Sequence, residues 1–97
     1  MRRIVFAPSF DQDVEDIGAY IEERFGAAVR EQFVSDLMMT CSHIASFPDM
    51  GLSGHGYETP LKGFVFGPNW IFFDHDDNEV RFLHIVDGRR HKGNVKF

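Results

Sequence analysis

Apolar and polar positions follow two rhythms along this chain, and the change from one to the other falls near residue 48. Ile4-Val5-Phe6 is a short β-branched and aromatic run closed by Pro8, which predicts a first strand. Phe10, Val14, Ile17, Ile21 and Phe25 then recur three or four residues apart, the period of one helix face, predicting a helix over roughly residues 10–25. Ser9 and Gln12 have the spacing of a capping box, and Asp11, Asp13, Glu15 and Asp16 place negative charge at the positive end of the helix dipole. Gly26 stands where a left-handed C-cap belongs. The stripe resumes as Val29, Phe33, Leu37, Cys41, Ile44 and Phe47, until Pro48 forbids continuation. Two helices joined by so short a connection must lie antiparallel, so residues 9–47 form a helical hairpin with one apolar seam.

Beyond Pro48 the helical period is lost. Residues 48–60, with three glycines and two prolines, read as a loop. Leu61 to Phe66, Trp70 to Phe73 and Val80 to Val86 are strand-like runs separated by Gly67-Pro68-Asn69 and by Asp74 to Asn78, which predicts a three-stranded antiparallel meander. Simple alternation groups Val80, Phe82, His84 and Val86 on one face of the last strand, with Arg81, Leu83 and Ile85 on the other. The order β-α-α-β-β-β defines an α+β fold: an N-terminal strand, an antiparallel helical hairpin and the meander, all within one domain spanning residues 1–97.

Composition explains how so short a chain can hold a core. Apolar residues make up 43% and charged residues 26%, close to globular averages, which argues against both a disordered chain and a membrane protein. Eleven Phe against four Leu shift the core toward large rings, each removing about 150–250 Å² from water. Phe10, Phe25, Phe33 and Phe47 mark the hairpin seam; Phe64, Phe66, Phe72, Phe73 and Phe82 mark the sheet. The single Cys41 closes no intramolecular disulfide, and on the apolar seam it reads as a small hydrophobe. The apolar run behind Arg2-Arg3 is too short for a signal peptide and no stretch could span a membrane, so a cytoplasmic location is expected.

Charge is distributed unevenly. The net value of −5 argues against coating nucleic acid over the whole surface. It conceals a hairpin with eight carboxylates against two arginines, and a tail from Gly88 to Phe97 with four basic side chains and no acid. Arg89, Arg90, His91 and Lys92 are therefore the candidate target-binding residues, since an arginine fork suits phosphates and carboxylates. The competing reading is a solvated terminus. The five histidines lack the spacing of a zinc site, and no metal or cofactor is expected. His75 among Asp74, Asp76 and Asp77 begins like a calcium loop, but the positions that follow do not fit one, and the segment reads as a turn. Trp70, among aromatic neighbours, reads as core. Acid–base cleavage of RNA would need proton carriers and cations, for which His84, His91, Arg81, Arg89 and Lys62 are the available groups.

Together these pieces make the chain resemble the ParE/RelE superfamily of bacterial type II toxins, in its ParE-like branch. The likeness is carried by Ile4 to Ser9 with Asp13-Val14-Glu15-Asp16-Ile17 and Tyr20-Ile21, and by Phe47-Pro48-Asp49-Met50-Gly51, similar to an "FPxMG" signature. Leu61-Lys62-Gly63-Phe64 with Trp70 to Phe73, and Asp87-Gly88-Arg89-Arg90, similar to a closing "HGRR", complete it. The resemblance implies a toxin neutralised by a cognate antitoxin that wraps the hairpin and sheet. ParE-like members are associated with inhibition of DNA gyrase through contacts, with no direct sequence-specific binding of nucleic acid. RelE-like members cleave mRNA on the ribosome, which is the alternative reading. The chain departs from the RelE pattern in its acidic balance and in lacking a Lys-rich stretch and a closing Tyr. Asp87 replaces the usual His before Gly-Arg-Arg, which leaves a third reading open, a non-toxic module that only binds an antitoxin. The sequence assigns no antitoxin-binding residues.

Overall fold

The computed structural model describes residues 2–53 and 61–88. Strand β1 (Arg3–Phe6) leads into helices α1 (Pro8–Phe25) and α2 (Ala27–Ser46), a 3-10 turn (Pro48–Met50), and strands β2 (Leu52–Ser53), β3 (Lys62–Phe66), β4 (Asn69–His75) and β5 (Glu79–Asp87). The expected order of strand, hairpin and meander is present. Among the described residues the sheet has five strands in the order β1-β5-β4-β3-β2, with β1 parallel to β5 and the other pairs antiparallel. Part of the expected 48–60 loop is thus ordered structure. A two-residue strand has too few positions to show a period, which is why β2 leaves no pattern. Gly51 between the 3-10 turn and β2 is a close approach, since a Cβ there would lie 2.6 Å from the Phe73 ring.

Gly26 connects the helices in a single residue at φ +96°, donating its N–H to Glu22 O and accepting from Arg30 N. The expected capping box does not form. Ala7 is the N-cap and Pro8 opens the helix, so Ser9 lies inside the first turn, where its hydroxyl donates to Leu83 O at 2.7 Å. Gln12 bonds Asp16 instead. On the acidic hairpin Arg30 bridges Glu15 at 2.9 Å and Glu22 at 3.6 Å, tying the two helices together.

One core lies between hairpin and sheet. Phe10, Leu37, Cys41, Ile44 and Ala45 from the helices meet Ile71, Phe73, Val80, Phe82 and Ile85 from the sheet. The expected seam is too long at both ends: Phe25, Val29 and Phe47 are 64%, 46% and 61% exposed. Phe25 and Val29 flank the Gly26 turn and Phe47 follows the last turn of α2, where helix period persists but covering neighbours do not. Phe33 holds its place, tilted against Phe66 at 5.9 Å.

The facing of β5 also departs from simple alternation. Phe82 pairs with Phe73 and His84 with Phe72, so Leu83 is an extra residue on β5, a β-bulge. The bulge shifts the alternation by one position, and Ile85 joins Val80 and Phe82 in the core while His84 and Val86 are half-buried. Phe72 is nevertheless fully buried, stacked on the half-buried Trp70 at 6.3 Å.

Candidate functional site

Among the described residues β1 pairs with Glu79 to Phe82, and no strand lies beyond residues 83–87 of β5. α1 takes over that edge. Ser9 accepts the role of donor to Leu83 O, and the Asp13 carboxylate accepts the Ile85 N–H at 3.1 Å. These two side chains satisfy backbone groups that would otherwise form an open sheet edge. The arrangement leaves a groove of about 580 Å³ in which Ile17, Tyr20, Ile21 and Phe25 face Ile85, Val86 and Pro68, with Asp16 and Asp87 among its lining residues. Tyr20 is 51% exposed, with the Arg24 guanidinium 4.8 Å over its ring. The groove was not apparent in the sequence, where Ile17, Ile21 and Phe25 read as hairpin seam. Its signal there is Tyr20 beside Ile21, which widens the apolar arc of α1 beyond what one helix partner can cover.

Of the candidate RNA-cleaving groups, the three described ones, His84, Lys62 and Arg81, are each held by carboxylates of this chain. His84 Nδ1 lies 2.9 Å from Asp13 Oδ2, and since a carboxylate oxygen accepts there, Nδ1 is the donor. Lys62 Nζ bonds Asp49 Oδ1 at 3.0 Å and Pro48 O at 3.4 Å, fastening the 3-10 turn to β3, with His75 Nε2 3.7 Å from the same Asp49 oxygen. Arg81 bonds Asp74, Asp76 and Glu79, and Arg3 reaches Glu79 at 2.7 Å from the neighbouring strand. Those partners raise the Arg81 pKa, Glu79 most. Arg89, Arg90, His91 and Lys92 lie outside the described residues. Cys41 is buried, and burial pushes its thiol up to about 12, so it is protonated and inert as expected. Among the described residues no cluster of His, Cys, Asp or Glu is arranged to hold a metal ion.

The expected turn at Asp74 to Asn78 closes by its own chemistry. Asp76 Oδ1 accepts from the backbone N–H of Asn78 at 2.7 Å and of Glu79 at 2.9 Å. These bonds first, and Arg81 after them, hold the Asp76 carboxyl at about 2, below its usual 3.8. A carboxyl with a lower pKa in the folded chain contributes stability that is complete above its unfolded pKa and is lost as pH falls through its folded one. That contribution should therefore disappear between about pH 4 and about pH 2. Glu79, lowered chiefly by Arg3, and Asp49, lowered chiefly by Lys62, act in the same direction. Urea midpoints measured across that range should fall less steeply for Asp76→Asn than for wild type; identical slopes would assign the acid sensitivity to other carboxyls.

The family model described as "ParE toxin of type II toxin-antitoxin system, parDE" matches residues 4–92. Among solved structures, the chromosomal ParDE TA system from P. aeruginosa matches with a TM-score of 0.74 at 17% identity, over 90% of this chain and 96% of that one. At that identity the likeness speaks to the fold. No curated protein sequence matches the chain.

Proposed function

The chain belongs to the ParE toxin family of type II toxin-antitoxin systems, and on that premise we propose that it acts by contact, inhibiting DNA gyrase through its basic tail, and is neutralised by a cognate antitoxin. One observation carries the preference for contact over chemistry. The three described groups that RNA cleavage would draw on, Arg81, His84 and Lys62, are each committed to carboxylates of this chain. A cation stabilising a phosphorane-like charge must be able to approach it, and an arginine bonded to three carboxylates is poorly placed to do so. The tail, with Arg89, Arg90, His91 and Lys92, supplies cationic side chains that the rest of the acidic chain lacks as a group.

The antitoxin is proposed to fill the groove beside α1. Half-exposed Tyr20 and Phe25 with Ile17 and Ile21 form an apolar strip that a partner segment of apolar side chains would remove from water. Induction in bacteria without an antitoxin should arrest growth, and primer extension on abundant mRNAs should then show no discrete breaks within codons. Breaks at defined codon positions would replace contact with ribosome-dependent cleavage. Growth that continues undisturbed would leave the non-toxic binding module.

A further inference from the structure

The proposed target contact begins one residue after Gly88, and the surroundings of Gly88 are unusually restrictive. The β4–β5 ladder ends at the pair Asn69 and Asp87. Gly88 adds one further bond, its N–H donating to Pro68 O at 2.7 Å. Pro68 has no N–H to return, and Gly67 before it turns the chain at φ +57°, so the β4 side of the ladder ends in the turn. A Cβ on residue 88 would lie 2.8 Å from that same Pro68 oxygen and 3.2 Å from Trp70 Cδ1. Neither neighbour yields readily, because one is backbone in a tight turn and the other is a ring stacked on the fully buried Phe72.

We infer that Gly88 is a positioning residue for the target contact: it latches the end of β5 onto the β3–β4 turn and so fixes the residue that Arg89 and Arg90 follow in the sequence. The inference rests on the proposed reading of the tail. Two adjacent arginines act as a specific contact when their origin is set in advance, because ordering a loose segment on binding consumes affinity. Aspartate at position 87, the last residue of the ladder, leaves this latch intact, since the latch uses only the backbone of residue 88 and the turn opposite.

The test uses the full chain, induced in bacteria and titrated for the dose giving half-maximal growth arrest, with thermal midpoint and neutralisation by co-expressed antitoxin measured alongside. Gly88→Ala should need about tenfold more toxin, as should a variant with one glycine inserted between residues 88 and 89. Both should still be neutralised by the antitoxin. The insertion leaves residues 2–88 unaltered, so it decides the matter alone if Gly88→Ala lowers the thermal midpoint. Arrest at the wild-type dose by the insertion variant overturns the latch, provided that Arg89→Ala with Arg90→Ala abolishes arrest. If that double variant arrests growth like wild type, the tail reading itself is wrong and the inference falls with it.

Discussion

Phe82→Ala should lower the thermal midpoint by about 12–40 °C. The Phe82 ring is fully buried, with the Phe6, Phe10 and Phe73 centroids 5.6, 5.7 and 5.9 Å away. It therefore joins β1, α1, β4 and β5 in one aromatic layer. Truncating a buried Phe costs about 3–5 kcal/mol, of a total that is itself only about 5–15 kcal/mol for a chain of this length. With roughly 4–8 °C per kcal/mol in a domain of this size, the shift follows. Phe82→Leu keeps most of the volume and should cost much less. Circular dichroism melts of the two variants check this, and a shift under about 5 °C for the alanine would mean the rings are not the centre of the core.

The second large effect concerns binding without folding. Tyr20→Ala combined with Phe25→Ala removes two rings that are 51% and 64% exposed, so the melting curve should scarcely move. The same pair should weaken antitoxin binding by about a hundredfold, as expected when central aromatic contacts of an interface are truncated. Isothermal titration against the purified antitoxin measures it. Unchanged affinity with an unchanged fold would move the antitoxin off this groove and onto another face.

Which features the sequence conveys and which it hides has a physical pattern. The helical hairpin was legible because Phe10 to Ile44 repeat a single period, interrupted only at Gly26, where a residue at positive φ is needed. The meander and its Asp76 turn were legible because their punctuation uses the residues that tolerate tight turns. What period cannot report is a change of phase. The bulge at Leu83 swaps the faces of every later β5 residue, sending Ile85 inward, and nothing local in Arg81-Phe82-Leu83-His84 marks it. Nor can period report where cover stops, so Phe25, Val29 and Phe47 kept the pattern of a seam with nothing to bury them.

The candidate site was hidden for a related reason. Ser9 and Asp13 carry the signs of a helix start, a cap and a dipole charge, yet both are spent on the edge of β5 more than 70 residues away. Local chemistry suggested a local partner, and the long-range one was better placed because β1 is too short to cover the whole of β5. The cations suffered the same reassignment. Arg81 and Lys62 looked available beside His84, and each had a carboxylate neighbour that only the folded register brings near: Asp74 for Arg81, across the β4–β5 pair, and Asp49 for Lys62, from the 3-10 turn.

The claim that this chain acts by contact on gyrase is tested most directly by a supercoiling reaction with purified gyrase, relaxed plasmid and ATP, titrated with the purified chain. Supercoiled product should disappear as the chain is added, and return when stoichiometric antitoxin is supplied. Supercoiling that continues unchanged at saturating toxin would contradict it.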